Sequence, residues 1–197
     1  DRLKVLEQSI PDDRKKVIAN LAKKLKDTLE SKESLGLIFV CTHNSRRSFF
    51  AEAWAQLAIE HYSLSGKLKA YSAGTEATEI HPNTLKALER AGFAIEKEKG
   101  SNPKISLKIA QDQYLLSSFS KTLEDSSLPK KDFFAIMVCS SADDNCPFVP
   151  GALHRQPLTF EDPKISDGSS LERQTYDNRS QEIGAQMFYL IDRIANN

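Results

Sequence analysis

The chain has 197 residues, of which 40% are hydrophobic, and its 27 basic and 27 acidic side chains leave a formal net charge of zero. This length is enough for one domain with a substantial core, and the scattered basic residues offer no face for binding a nucleic acid. No apolar run reaches the roughly eighteen residues of a membrane span and no secretory signal is visible, so we expect a cytoplasmic protein that does not bind membranes.

The first 34 residues are highly charged and predict one helix. Its start is marked by Pro11 and the two acidic residues after it, which suit the first turn of a helix. Five apolar residues follow at helical spacing, namely Val17, Ile18, Leu21, Leu25 and Leu29. Such a stripe usually covers a core, so we interpret residues 1–34 as a helical extension packed on the domain. A helix that binds a second copy or a partner is the alternative.

Residues 35–197 alternate between predicted strands and helices. Apolar runs predict strands at 36–41, 68–73 and 133–138, with a weaker one near 153–160, and helical spacing predicts helices at 47–64, at 81–92 and at 170–195. This alternation indicates a three-layer α/β fold in which helices cover both faces of a mostly parallel, four-stranded sheet. Ligands of such sheets bind beyond the carboxyl ends of the strands, and Cys41 and Cys139 both lie at such an end.

The alternation stops between about residues 100 and 130. Two strand-like segments, 105–109 and 114–119, flank four polar residues at 110–113, which predicts a β-hairpin-like insertion. A helix within 113–124 is the alternative. The insertion would be a lid or a substrate rim, or else an inert excursion.

The loop after the first strand carries the clearest chemical signal. It reads Cys41-Thr42-His43-Asn44-Ser45-Arg46-Arg47-Ser48 and leads into a helix. Such a loop can wrap the backbone N–H groups of residues 42–46 around a tetrahedral oxyanion, and the same field stabilises a thiolate. We therefore predict that Cys41 is a nucleophile, that Arg47 clamps two oxyanion oxygens, and that Ser48 donates its hydroxyl to the sulfur. The alternative is a buried strand-end cysteine followed by a solvated arginine.

Two further cysteines stand seven residues apart in Cys139-Ser140-Ser141-Ala142-Asp143-Asp144-Asn145-Cys146-Pro147. They could form a disulfide only if the segment between them loops or unwinds. Two separate buried hydrophobes are the usual alternative, but here every cysteine of the chain fits one scheme, with Cys139 near the anion loop in one state and bonded to Cys146 in another. Three cysteines do not suit a structural disulfide framework, and the four histidines lie far apart, so we expect a reducing compartment, no metal site and no cofactor.

A general acid is the group that the loop itself lacks. A thiolate that displaces a leaving group from an oxyanion needs an acid to protonate that group. Asp162 follows the weak strand and is the predicted acid, with Pro163 stiffening its loop. Glu161, Asp143 and Asp144 are the competitors, and a solvated turn carboxylate is the alternative.

At these residues the chain resembles the low-molecular-weight tyrosine phosphatase superfamily and, more closely, its thioredoxin-coupled arsenate reductases. The resemblance runs from about residue 37 to the C-terminus, apart from the insertion, and segments 40–48, 72–75, 139–147 and 161–163 carry it. It implies that Cys41 attacks arsenate, that Cys139 attacks the adduct and releases arsenite, and that Cys146 then forms a disulfide with Cys139 that thioredoxin reduces. It also implies the roles given above to Arg47, Ser48 and Asp162.

Two residues of the loop depart from the pattern of the family. His43 stands where glycine is common, so the backbone there must accept a side chain. Arg46 adds a second cation, which would favour a bulkier anionic substrate or would simply be exposed.

Two other functions stay open. The first is hydrolysis of phosphomonoesters, phosphotyrosine above all, through a phosphocysteine at Cys41, for which Arg47 and Asp162 suffice. The second is a non-catalytic module that binds an anion or a partner, although such a module has no use for a nucleophile and an acid. Arsenate and phosphate are thus the expected small ligands.

Overall fold

The computed structural model describes residues 7–109, 113–146 and 148–196. Along the chain it contains α1 (Asp12–Leu29), β1 (Leu35–Cys41), α2 (Arg47–His61), β2 (Leu68–Gly74), α3 (Pro82–Ala91), β3 (Ala94–Lys97), β4 (Ile105–Ile109), β5 (Gln113–Ser118), β6 (Phe133–Met137), α4 (Ser140–Asn145), β7 (Ala152–Pro157), a 3-10 helix (Pro163–Ser166) and α5 (Glu172–Ala195). Residues 110–112 of the predicted turn, and Pro147 of the cysteine segment, lie outside the described residues. Within those ranges, no helix combines the length and the apolar character needed to cross a membrane.

The main sheet confirms the predicted α/β fold. Its strand order is β2-β1-β6-β7, and every neighbouring pair is parallel. β1 lies inside this order and is buried along its whole length, as expected for a parallel strand covered on both faces. The predicted weak strand is the edge strand β7, which is only partly buried.

The carboxyl ends of β1 and β6 lie side by side. Val40 pairs with Met137 across the two strands, and the Val138 N–H donates to the Val40 carbonyl at 2.8 Å. On the other side of β1, Cys41 pairs with Gly74 at the end of β2. The loop after Cys41 and the segment that begins at Cys139 therefore leave the sheet at the same edge, as the sequence predicts.

α1 packs along α5. The predicted stripe is the covered side of the helix, with Ile18, Leu21 and Leu25 buried and Val17 and Leu29 partly buried against the same core. Arg14 anchors the helix, since its Nε donates to Gln186 Oε1 at 2.7 Å and its Nη2 donates to the Thr159 carbonyl at 2.8 Å. This chain thus covers the stripe itself, which favours the packed extension over a partner-binding helix, while the boundary near residue 34 stays a prediction.

The insertion is an antiparallel sheet with the order β3-β4-β5. β4 and β5 are the two predicted strands, and the alternative of a helix from residue 113 is wrong, because residues 113–118 pair with β4. β3 is an addition that the sequence pattern does not indicate, since its four residues are mostly exposed. A short exposed strand lacks the apolar alternation by which strands are recognised.

Candidate active site

The loop after β1, residues 41–48, is called the oxyanion loop below. It takes its shape from one residue whose backbone lies in the left-handed region. Asn44 has φ 47°, and among the described residues other than glycine only Ser63 and Asp132 also have a positive φ. His43 therefore needs no unusual backbone conformation, contrary to the expectation for a residue that stands at a glycine position. Asparagine is the non-glycine residue that tolerates this region best, so the sequence of the loop fits its conformation.

The carbonyl groups of the loop point outwards. The carbonyl of Thr42 accepts from the Glu76 N–H at 2.8 Å, and that of Ser45 accepts from the His81 N–H at 3.1 Å. The His43 carbonyl accepts from two hydroxyl groups, on Thr78 and Ser120. Because a trans peptide group places its C=O and N–H on opposite sides, the N–H groups of the residues that follow face the inside of the loop. This arrangement is a cradle for an anion.

Gly74 lets the end of β2 approach this loop. A Cβ atom at this position would lie 2.3 Å from the Glu76 carbonyl oxygen, 2.7 Å from the Thr42 carbonyl oxygen and 2.8 Å from the Asn44 nitrogen. These are backbone atoms that cannot turn aside, so any side chain here would displace the loop. The match of segment 72–75 to the family pattern thus has a steric reason.

A hydrogen-bond relay ends at the sulfur of Cys41. Asn44 Oδ1 accepts the Lys121 N–H at 2.8 Å, so its amide Nδ2 faces Ser48 and donates to Ser48 Oγ at 2.8 Å. The Ser48 hydroxyl therefore keeps its own hydrogen for Cys41 Sγ, which lies 3.1 Å away. The geometry supports the roles predicted for Cys41 and Ser48.

Arg47 and Asp162 are 115 residues apart in the sequence but lie together at this site. Arg47 Nη2 lies 2.6 Å from Asp162 Oδ2, and Arg47 Nη1 donates to the Phe160 carbonyl at 3.1 Å. Asp162 also caps the 3-10 helix, where its Oδ1 accepts the Lys164 N–H at 3.1 Å. Arg47 Nε is buried and has no hydrogen-bond partner among the described residues. An oxyanion would supply the acceptor that this donor needs.

Arg46 belongs to a different cluster. Its Nε donates to the Tyr176 hydroxyl at 2.7 Å and its Nη2 lies 3.1 Å from Asp167 Oδ2. Burial raises the pKa of Tyr176, so this hydroxyl stays protonated and donates to Asp167 Oδ1 at 2.8 Å. The side chain of Arg46 is thus committed to structural contacts, which argues against a second anion clamp, and only its backbone remains as a candidate contact.

Cys139 lies directly beside the loop. It is fully buried, and its Sγ is 3.6 Å from the hydroxyl of Thr42, the residue after Cys41. It caps α4, because its sulfur accepts the Ala142 N–H at 3.3 Å. Cys146 follows the other end of α4, where it is half-buried, and all three cysteines are free thiols. No group of three metal-ligating side chains comes together in the part of the chain that the structure describes.

α4 is held at its far end by one arginine. Arg155, on β7, donates from Nε to the Cys146 carbonyl at 2.8 Å, and its Nη2 lies 2.5 Å from Asp143 Oδ1. Asp143 is therefore engaged in this contact, and Glu161 pairs with Arg179 at 3.3 Å, so two of the three competitors of Asp162 are bound to other arginines, while the third, Asp144, is exposed. The structure brings Asp162 to the site, while its role as the acid stays a prediction.

Four supporting residues escape sequence reasoning, namely Thr78, Ser120, Lys121 and Tyr176. Each contacts the loop from more than thirty positions away along the chain. No local motif marks such partners. Ser120 and Lys121 become neighbours of the loop only when the insertion folds back onto the end of β2.

The comparison with known families matches the part of the chain that carries the oxyanion loop. The model of the family described as low molecular weight phosphotyrosine protein phosphatase matches residues 36–101, which include β1, the oxyanion loop and β2. Arsenate reductases are among the similar curated proteins. That of Shouchella clausii is 30% identical over 152 residues, which cover 77% of this chain and 91% of its own length. That of Bacillus subtilis is 28% identical over 152 residues with the same coverage.

Solved structures show the same fold. An arsenate reductase in its phosphate-binding state matches with a TM-score of 0.54 and 21% identity, over 81% of this chain and 98% of the other. A low-molecular-weight phosphotyrosine phosphatase from Vibrio cholerae matches with a TM-score of 0.54 and 18% identity, over 81% and 95% of the two chains. Both reductases and phosphatases therefore share this arrangement of strands and helices.

Proposed function

Since this chain belongs to the low-molecular-weight phosphotyrosine phosphatase superfamily and is similar to its arsenate reductases, we propose that it reduces arsenate through a relay of its three cysteines. The observation that supports this reaction best is the position of Cys139, whose sulfur lies beside the residue that follows Cys41. A phosphatase has no need for a second thiol there. The third cysteine stands at the other end of the same short helix.

In the first step the thiolate of Cys41 attacks the arsenic atom. The backbone N–H groups of the loop and the guanidinium of Arg47 bind the oxygens that carry the negative charge. One arsenic–oxygen bond breaks, and that oxygen leaves as water after Asp162 supplies a proton. Ser48 holds the sulfur in the attacking position.

In the second step sulfur resolves the adduct. The thiolate of Cys139 attacks Cys41 Sγ, a sulfur–sulfur bond forms, and the electron pair of the sulfur–arsenic bond goes to arsenic. Arsenic(V) thereby becomes arsenic(III) and leaves as arsenite. Cys146 then attacks Cys139 Sγ and releases Cys41 as a thiolate.

The last disulfide requires α4 to open. Cys139 and Cys146 flank the six residues of α4, and seven steps of helical rise would place them about 10 Å apart along its axis, whereas bonded cysteines have Cα atoms about 6 Å apart. An external dithiol must then supply two electrons, and thioredoxin is the reductant that we propose. A reducing compartment such as the cytoplasm suits this cycle.

The experiment compares single cysteine variants in two assays. We expect Cys41→Ser to abolish both arsenate reduction with thioredoxin and hydrolysis of an aryl phosphate. Cys139→Ser and Cys146→Ser should each abolish turnover of arsenate, because the relay then lacks a sulfur. Both should keep any aryl phosphate hydrolysis, because that reaction needs only Cys41, Arg47 and Asp162.

Two outcomes would contradict the relay. Full arsenate reduction by both Cys139→Ser and Cys146→Ser would remove these cysteines from the reaction. A wild-type protein that hydrolyses aryl phosphates but does not turn over arsenate would make it a phosphatase, the second function that the same loop supports. Ser140→Ala is the matched control, since it changes a side chain of α4 without removing a sulfur, and it should leave both activities unchanged.

A further inference from the structure

The last part of the insertion returns to the main sheet behind the oxyanion loop. This support segment, residues 118–123, bonds to the end of β2, where the Gly74 N–H donates to the Lys121 carbonyl at 2.8 Å. It also contacts the loop itself, since the Lys121 N–H donates to Asn44 Oδ1 at 2.8 Å and Ser120 Oγ donates to the His43 carbonyl at 3.0 Å. The insertion therefore supports the loop through hydrogen bonds to Asn44 and to the His43 carbonyl.

The side chain of Lys121 fixes the shape of this segment. Only 5% of the residue is exposed. Its ammonium group donates to Ser118 Oγ at 2.8 Å and to the Phe119 carbonyl at 3.0 Å, and it lies 4.9 Å from the centre of the Phe119 ring. A buried ammonium is costly unless it is hydrogen-bonded, so these contacts hold the turn that carries the Lys121 N–H.

A buried carboxyl group on α2 faces the same lysine. Glu52 accepts a hydrogen bond from Ser72 Oγ at 2.5 Å. Burial raises the pKa of Glu52, and the positive charge of Lys121 acts in the opposite direction. The ammonium group of Lys121 therefore lies close enough to α2, the helix that begins at the loop, to act on the carboxyl group of Glu52.

We propose that Lys121 is a positioning residue of the oxyanion loop, which orients Asn44 so that the hydroxyl of Ser48 points at Cys41 Sγ. The backbone N–H of Lys121 occupies the oxygen of the Asn44 amide. The amide nitrogen must then face Ser48, and the hydrogen of Ser48 is left for the sulfur. If the segment shifts, the Asn44 amide is free to turn and the sulfur loses its donor. This inference rests on the loop being the site of the oxyanion in the proposed function.

The test measures the reactivity of Cys41 and needs no substrate. In a Cys139→Ser, Cys146→Ser background, iodoacetamide reports on Cys41 as the remaining cysteine. We expect Lys121→Met to move the midpoint of the pH profile of the alkylation upwards by about one unit, and to slow the reaction up to about tenfold at pH values below the wild-type midpoint, because a charge-assisted hydrogen bond to the thiolate is lost. Lys108→Met is the matched control, since it removes the same charge from the exposed face of the hairpin, and it should change the rate less than twofold.

A double-mutant cycle shows whether Lys121 acts through Asn44. Asn44→Gly removes the amide and keeps the left-handed backbone accessible. In that background we expect Lys121→Met to change the alkylation rate less than twofold, because coupled residues are not additive. A folded Lys121→Met variant with the wild-type pH profile would overturn the proposal, and so would a tenfold effect that persists in Asn44→Gly.

A second variant covers the case in which Lys121→Met does not fold. Asn102 clamps the support segment without any charge, since its Nδ2 donates to the Ser120 carbonyl at 2.7 Å and its Oδ1 accepts the Ser120 N–H at 3.2 Å. Asn102→Ala should slow the alkylation about threefold, in line with a neutral hydrogen bond. An unchanged rate would overturn the proposal. Because no arsenate is involved, these results are independent of whether the protein reduces it.

Discussion

The oxyanion loop and α4 each carry a cysteine at the same edge of the sheet, but they are held in opposite ways. Within the loop, Asn44 and Ser48 are fully buried, and its carbonyl groups accept hydrogen bonds from the residues that follow β2, from the start of α3 and from the support segment. α4 has six residues, of which Ala142 alone is buried. Its far end is held by Arg155, a single side chain. One region is fixed by many partners and the other by few.

This difference matches the two kinds of chemistry that we propose. Attack on arsenate needs groups held in place, because the rate depends on orientation and on dipoles that are already arranged. The later disulfide needs movement, because an intact α4 keeps Cys139 and Cys146 apart. Segments with few buried contacts open most easily. The fold thus places a loop with many buried contacts beside a short helix that has few.

The largest expected effect comes from crowding the rigid region. Gly74→Ala would place a Cβ against backbone atoms of Glu76, Thr42 and Asn44. We expect the free energy of unfolding to fall by about 3 kcal/mol and the alkylation of Cys41 to slow, because the loop must shift. Urea unfolding and the iodoacetamide reaction measure the two effects.

Gly66→Ala is the control for this prediction, since a Cβ there would meet nothing within 4 Å. Its unfolding free energy should change by no more than about 0.5 kcal/mol. Equal stability of the two variants would show that the loop yields easily and would remove the contrast with α4.

A smaller effect comes from loosening the movable region. Arg155→Met removes the donors to the Cys146 carbonyl and the ion pair with Asp143. We expect the opening of α4 to become about fivefold more frequent, since one hydrogen bond contributes about 1 kcal/mol. Amide hydrogen exchange of residues 140–146, and the rate at which Cys139 and Cys146 form a disulfide after mild oxidation, should both rise.

Arg173→Met is the matched control, because that arginine is exposed and pairs with Asp177 at 3.9 Å within α5. It should leave the exchange of α4 and the oxidation rate unchanged. If Arg155→Met also leaves them unchanged, Arg155 is not what keeps the helix closed.

The smallest effect is a pH dependence of the free energy of unfolding, caused by His81, whose N–H donates to the Ser45 carbonyl of the loop. Burial lowers the pKa of His81, and the neighbouring Arg46 lowers it further, against Asp167, Glu172 and Glu79. In mild acid the unfolded chain therefore binds more protons than the folded one. Above about pH 6.5 His81 is neutral in both states and costs no stability. The free energy of unfolding falls as the pH drops below that value. His81 also caps α3 by accepting the Asn83 N–H at 3.3 Å.

We expect His81→Asn to keep this cap and to lose less stability than the wild type between pH 7.5 and pH 5.5, as measured by urea unfolding. The comparison is His61→Asn, which should leave the pH dependence of the unfolding free energy unchanged because His61 is exposed. A wild-type pH dependence in His81→Asn would mean that other groups cause the loss in acid.

Much of the reaction centre is predictable because its parts are local. Cys41, Arg47 and Ser48 lie within eight residues, between an apolar strand and a helix, and that order alone indicates an anion loop. The parallel sheet follows from the alternation of apolar strands and amphipathic helices. The hairpin of the insertion is likewise visible, because β4 and β5 are neighbours along the chain.

Other features depend on residues far apart along the chain. The contact of Arg47 with Asp162, the commitment of Arg46 to Tyr176 and the hydrogen bond from Lys121 to Asn44 join positions that are 77 to 130 residues apart. No spacing rule encodes such pairs, because they depend on which strands become neighbours and on how the insertion folds back.

The sequence by itself determined the candidate nucleophile, its loop and the α/β sheet that presents them, since these follow from short-range patterns of polarity and of backbone preference. Only the tertiary structure decided which arginine of the oxyanion loop keeps a buried donor without a partner among the described residues, which way the Ser48 hydroxyl points and how far Cys146 stands from Cys139. Those properties are set by burial and by hydrogen-bond partners brought together in folding, so they exist only when the whole chain is in place.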